Sequence, residues 1–87
     1  MEMRTLDREL IQNILQEIDT CRNEGVLPVG NDHLKHLCEE GEILEYLLFM
    51  RGERLIGGAL VTRGASYTPH RMTNIRLTYL GIKALRL

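Results

Sequence analysis

The residues of this chain best suited to chemistry are a group of cations in its C-terminal part. The group has seven members, six cations and one tyrosine: Arg51, Arg54, Arg63, Tyr67, His70, Arg71 and Arg76. Guanidinium groups bind phosphate oxygens through paired N–H donors, and an aromatic ring can stack on a base. The group therefore predicts contacts with a nucleic-acid backbone. The alternatives are a solvated strand face that balances acidic residues elsewhere and, for Tyr67, a turn tyrosine resting on its own hairpin.

Charge is divided unequally along the chain. Residues 1–50 contain four Lys and Arg against eleven Asp and Glu, a net charge of −7. Residues 51–87 contain seven against one, a net charge of +6, so the whole-chain value of −1 hides the division. Such a split predicts an interaction surface on the basic side or head-to-tail self-association.

Two histidines and two cysteines form the other candidate group, as potential zinc ligands. Cys21, His33, His36 and Cys38 have the spacing C-x11-H-x2-H-x-C, whereas structural zinc sites usually contain closely paired ligands. We therefore expect surface histidines, reduced core thiols and no metal. A Cys21–Cys38 disulfide is the alternative in an oxidising compartment.

Signatures of catalysis are missing from the sequence. Ser66 is the only serine, and no glycine-rich phosphate loop with a lysine and no nucleophile elbow is present. The chain is therefore predicted not to be an enzyme and to use no cofactor.

Apolar periodicity predicts helices in the first part of the chain. Leucine and isoleucine recur at three- and four-residue steps over about 6–22, with Thr5 as N-cap. A short second helix is expected to start at Asn31 or Asp32 and to carry Leu34, Leu37 and Cys38 inward. A leucine-rich third helix over 42–50 is expected to end at Gly52.

The later part of the chain predicts a β-hairpin and a final helix. Residues 55–62 and 71–77 have strand character, and the second run alternates, with Ile75 facing one side and Arg76 the other. A six-residue tip over 64–69 joins them. Thr78 is expected to cap a helix that carries Leu80, Ile82 and Leu85, and Gly81 to let that helix approach the sheet closely. The predicted fold class is α+β, in one domain over 1–87.

The order of these elements resembles the winged helix-turn-helix fold. Residues 46–57 (YLLFMRGERLIG) are similar to a third helix that runs into the first wing strand, and residues 77–85 (LTYLGIKAL) to the final strand and helix of small members. The most similar group is the small bacterial and phage YjcQ-like winged-helix proteins, whose function is unknown. The resemblance implies a hairpin wing that can contact double-stranded DNA. Members that read DNA present basic or amide side chains from the third helix, whereas this helix is flanked by Glu39, Glu40, Glu42 and Glu45.

These observations predict a nucleic-acid-binding or regulatory protein that contacts the DNA backbone mainly through the basic wing. The alternative is a winged-helix module that binds a protein partner or a second copy. A homodimer is expected because Phe49 and Met50 add apolar surface to a small domain. The chain has no apolar run long enough to span a bilayer and no signal-peptide pattern, so a cytoplasmic location is expected.

The predicted core joins apolar residues from every element. Its members are Leu10, Ile14, Ile18, Leu34, Leu37, Leu44, Leu47, Leu48, Ile56, Leu60, Ile75, Leu77 and Leu85.

Overall fold

A computed structural model describes residues 7–38, 40–62 and 69–85 of the chain. The elements in chain order are α1 (Arg8–Asn23), two 3₁₀ turns (Asn31–His33 and Lys35–Leu37), α2 (Glu40–Gly52), β1 (Ile56–Thr62), β2 (Pro69–Leu77) and α3 (Tyr79–Leu85). The two strands pair antiparallel in one sheet. The α+β class and the two-stranded hairpin are thus confirmed, and the second of the four predicted helices is replaced by two 3₁₀ turns.

Helix α1 begins at an aspartate cap. The Asp7 carboxylate accepts hydrogen bonds from the backbone N–H groups of Glu9 and Leu10, at 2.9 and 3.4 Å. The N–H of Asp7 itself donates to the hydroxyl of Tyr46, which lies on α2, at 2.9 Å. The cap is therefore Asp7 and not the predicted Thr5, which lies outside the described residues, because the Asp7 backbone is extended and its oxygen reaches the free N–H groups of the first turn.

The segment after Gly30 forms 3₁₀ turns because the side chains of Asn31 and His33 accept hydrogen bonds from backbone N–H groups. The buried Asn31 amide oxygen accepts a hydrogen bond from the N–H of Met72 in β2, at 3.1 Å. His33 Nδ1 accepts from the N–H of Gly30, at 3.0 Å. These contacts hold the segment against the outer edge of β2, where the carbonyl of Val29 also accepts from the N–H of Ile75. Asn and His are weak helix formers, so the contacts override the short apolar pattern.

Helix α2 ends through a left-handed residue that is not a glycine. Arg54 has φ +64°, its N–H donates to the carbonyl of Arg51, and the N–H of Leu55 donates to that of Met50. These two bonds form a Schellman motif with Arg54 in the position that glycine usually occupies. Gly52, the predicted end signal, is instead the last residue of the helix.

The hairpin contains a bulge on β2. Gly57 pairs with Arg76 and Ala59 with Thr73, so one residue of β1 faces two of β2, Asn74 and Ile75. Asn74 has φ +55°, a conformation that asparagine tolerates better than most residues. A second register shift places His70 between the pairs formed by Arg71 and Pro69. Pro69 belongs to β2, and residues 63–68 between the strands lie outside the described residues.

Helix α3 packs closely on the turn after α2. The Thr78 hydroxyl accepts from the N–H of Gly81 and donates to the carbonyl of Arg54, which confirms Thr78 as the cap. A Cβ on Gly81 would overlap the carbonyl oxygen of Leu55, so glycine is required by this approach. The expected close contact exists, and its partner is the residue that precedes β1.

The core lies between α1, α2 and the inner face of the hairpin. Its buried apolar residues are Ile14, Leu15, Ile18, Cys21, Val29, Leu34, Ile43, Tyr46, Leu47, Met50, Ile56, Met72, Ile75 and Leu77. Met50 is fully buried and does not add to an exposed dimer surface, whereas Phe49 is 41% exposed. Leu60 is 36% exposed, so its predicted place in the core is wrong. On α3, Leu80 and Ile82 are exposed, whereas Leu85 packs against the core as predicted.

Candidate nucleic-acid interface

Two of the predicted cations, Arg71 and Arg76, lie exposed on the outer face of the hairpin. They are five residues apart, and in a regular strand an odd spacing would turn them to opposite faces. Their partners on β1, Val61 and Gly57, are four residues apart and share a face. The extra residue at the bulge therefore brings Arg71 and Arg76 to the same side, while Met72 is turned into the core.

The guanidinium of Arg76 lies across its partner strand. The position of a Cβ on Gly57 would be 3.0 Å from Cζ and 3.1 Å from Nη2 of Arg76. Gly57 thus leaves room for the guanidinium plane beside the backbone of β1. This packing limits the freedom of the Arg76 side chain and holds its donors near the bulge.

Two neighbouring clefts run along the outer edge of β2. The first, of about 640 Å³, is lined by Arg76 and Asn74 from β2, by Arg22 from the last turn of α1, and by the loop around Leu27 and Pro28. The second, of about 480 Å³, shares that loop and includes three charged or titratable residues, Arg71, Asp32 and His33. Three arginines from two elements therefore surround one loop, with one carboxylate, Asp32, beside them.

Arg51 and Arg54 occupy a different part of the surface. The Nε of Arg51 donates to the carbonyl of Gly58 in β1, at 2.9 Å, and Arg54 lies in the turn after α2. Neither is among the described residues that line the two clefts. The structure therefore divides the predicted cation group: among the members whose side chains it describes, Arg71 and Arg76 share a face, and Arg51 and Arg54 lie elsewhere.

The side chains of three other predicted site residues lie outside the described part of the structure. Arg63 and Tyr67 lie outside the described residues. The backbone of His70 belongs to β2, and its side chain is outside the description. The contacts predicted for these residues remain predictions.

The candidate zinc ligands are dispersed. Within residues 7–38, 40–62 and 69–85, no three His, Cys, Asp or Glu side chains lie together in a way that could hold a metal ion. His33 caps Gly30, and His36 Nε2 lies 3.9 Å from a carboxylate oxygen of Glu17. Cys21 and Cys38 are not joined by a disulfide, and burial raises the pKa of the Cys21 thiol, with smaller contributions from Glu17 and Glu24.

The exposed side of α2 is unsuited to contact with phosphate. Glu45 and Phe49 are exposed on this helix, and Glu42 is half-buried. Carboxylates repel phosphate, so entry of this helix into a DNA groove is disfavoured. The cations and the helix that would read bases in a winged-helix protein thus belong to separate surfaces.

Sequence reasoning missed Arg22, Leu27 and Asn74. Arg22 lies in the acidic part of the chain, where composition hides a single cation. Leu27 is 66% exposed and lies in a loop without periodicity. The one available signal was Asn74, because asparagine within a strand pattern suggests a bulge.

In comparisons with models of protein families, with curated proteins and with solved structures, nothing matches this chain. Of the helices in the described ranges, none has the length and apolar character needed to cross a membrane. The function must therefore be argued from the surface that the fold builds.

Proposed function

We propose that this protein binds nucleic acid through phosphate contacts made by the arginines along β2. The observation that carries the proposal is the shared exposed face of Arg71 and Arg76, which the bulge at Asn74 creates. Arg22, from the last turn of α1, lines the same cleft as Arg76. Each guanidinium group provides paired donors that can bind phosphate oxygens, and the three arginines line two clefts beside one loop.

The arrangement of helices before a hairpin supports a winged-helix-like protein in which the hairpin acts as the wing. The acidic exposed side of α2 supports contacts with the backbone and not with base edges of a duplex groove. Phosphate contacts position a nucleic acid without selecting its sequence. The proposed activity is therefore sequence-tolerant binding, consistent with an architectural or regulatory role.

Fluorescence anisotropy with labelled oligonucleotides of mixed sequence tests the proposal. Arg71→Ala and Arg76→Ala should each weaken binding about tenfold at low salt, by a similar factor for every sequence. Arg8→Ala is the matched control for Arg22→Ala, because both arginines are exposed on α1 and lie about 21 Å apart along the helix. Arg22→Ala should weaken binding and Arg8→Ala should not. Absence of binding by the wild-type protein at low salt refutes the proposal.

Self-association is the second candidate function, and an exposed apolar surface on α3 favours it. Tyr79, Leu80 and Ile82 are 74, 46 and 39% exposed. Ile82 also lines a small cleft with Leu27, so this surface extends to the α1 side. Sedimentation velocity over a range of concentrations tests it. A dimer that Leu80→Glu dissociates supports it, and a monomer at the highest concentration refutes it.

A further inference from the structure

The cleft between Arg22 and Arg76 is lined by apolar residues as well as by the arginines that could bind phosphate. Its volume of about 640 Å³ lies within the range of small-ligand sites. Leu27 and Pro28 are exposed apolar residues of its lining, and Arg22, Arg76 and Asn74, whose side chains end in planar polar groups, are exposed residues of the same lining. Phosphate gains nothing from contact with apolar side chains. A ligand that fills this cleft should therefore be both flat and partly apolar.

Leu27 is an exposed apolar residue that a ligand in this cleft could cover. Its side chain is 66% exposed, although it lies within a few residues of the buried Val29. Leu27 lines all three of the clefts described on this side of the molecule, and each of these clefts is also lined by at least one arginine. An exposed leucine in a lining that also includes arginines matches a ligand that carries both negative charge and an apolar face.

A nucleotide with an unpaired base has this combination of properties. Its phosphate can pair with an arginine, and its base can stack on a guanidinium plane or on apolar side chains. The Asn74 amide supplies one donor and one acceptor for the edge of a base. Duplex DNA hides the faces of its bases, and the element that would enter its groove, α2, has an acidic exposed side. The cleft therefore suits a single strand better than a duplex.

We propose that the cleft between Arg22 and Arg76 holds an unpaired base, which makes single-stranded nucleic acid the preferred ligand. This inference rests on the proposed function, because the phosphates next to the base contact the same arginines. Leu27 contacts the base face, Asn74 contacts its edge, Arg22 binds the phosphate next to the base, and Arg71 binds a neighbouring phosphate beyond the Leu27–Pro28 loop.

An abasic oligonucleotide separates the two proposals. Three probes of about ten nucleotides are compared by anisotropy: a single strand, its duplex, and a single strand with the same phosphates whose sugars lack bases. The wild-type protein should bind the base-bearing strand about tenfold more tightly than the abasic strand, as one stacked base predicts. Equal binding of these two strands overturns this inference and leaves phosphate binding intact. Failure to bind any probe refutes the proposed function itself.

Two variants locate the base within the cleft. Leu27→Ala should remove most of the difference between the base-bearing and abasic strands, while Leu80→Ala, an exposed leucine on α3, should preserve it. Asn74→Gly keeps the left-handed backbone and removes only the amide, so it should reduce differences in affinity among homopolymer strands. An unchanged base dependence in Leu27→Ala contradicts the placement. Both positions are exposed, so circular dichroism should show an unaltered fold.

Discussion

Gly81 lies where α3 comes closest to the turn after α2. Because a Cβ there would overlap the carbonyl oxygen of Leu55, Gly81→Ala requires a backbone shift. We expect it to lower the free energy of unfolding by about 1–3 kcal/mol. Gly52→Ala is the matched control, since no atom lies within 4 Å of the added methyl group and alanine is favoured in a helix. Urea denaturation of both variants measures the difference, and equal stabilities would contradict the close approach.

Arg54 is strained by its left-handed backbone, at φ +64°. Arg54→Gly should raise the free energy of unfolding by about 0.5–1 kcal/mol, because glycine adopts this conformation without a Cβ penalty. Arg54→Ala removes the same charge and retains the penalty, so it should not stabilise the protein. Thermal denaturation separates the two effects. A similar gain in both variants would show that charge, and not backbone strain, determines stability at this position.

The buried thiol of Cys21 should make the free energy of unfolding fall as the pH rises into the alkaline range. Burial, with smaller contributions from Glu17 and Glu24, raises the pKa of its thiol above 9.0, the ordinary value that the unfolded chain should retain. Above about pH 9 the unfolded chain loses this proton first, so the folded state loses stability as pH rises further. The loss should approach at most about 1.4 kcal/mol per pH unit. Cys21→Ala should show a shallower decline in urea denaturation between about pH 8 and pH 10, and parallel profiles would contradict the assignment.

Residue types predicted only part of the candidate site. Arg71 and Arg76 were found because cations are concentrated after residue 50. Arg22 and Leu27 join them from the other part of the chain, and composition cannot show a contact made by folding. The same limit explains why Arg51 was grouped with them, although its side chain is bound to the carbonyl of Gly58.

At the scale of elements, the bulge on β2 decides which side chains face outward. Asn74→Val should destabilise the hairpin by about 1–2 kcal/mol, because a β-branched residue is disfavoured at φ +55°. Asn74→Gly keeps the conformation accessible and should retain stability. Urea denaturation compares the two variants. If valine were tolerated as well as glycine, the left-handed bulge would not be required for the register of Arg71 and Arg76.

Helices α1 and α2 and the hairpin were predictable because their apolar residues repeat with the period of the element. Residues 31–38 were not, since their conformation depends on a bond from Met72 to Asn31 across 41 positions of sequence. The burial of Met72 could not be found from regular alternation along 71–77, because the extra residue at Asn74 reverses the pattern. Local apolar patterns therefore predicted the helices and strands, whereas the conformation of residues 31–38 depends on a long-range hydrogen bond.

At the scale of the whole molecule, the fold determines where the unevenly distributed charges lie. Many of the acidic residues lie on α1 and α2, while Arg71 and Arg76 share the outer face of the hairpin and Arg22 lines a cleft with Arg76. Three exposed arginines thus line neighbouring clefts on a chain whose net charge is only −1. Binding through such a surface must weaken with salt, whatever the sequence of the ligand.

The salt dependence of binding tests this account most directly. If Arg22, Arg71 and Arg76 each neutralise one phosphate of a single strand, the logarithm of the association constant should fall with the logarithm of salt concentration with a slope of about −2. Arg71→Ala should flatten this slope by about 0.7, whereas Arg8→Ala should leave it unchanged. A slope near zero, or an equal change in both variants, would contradict phosphate binding along β2.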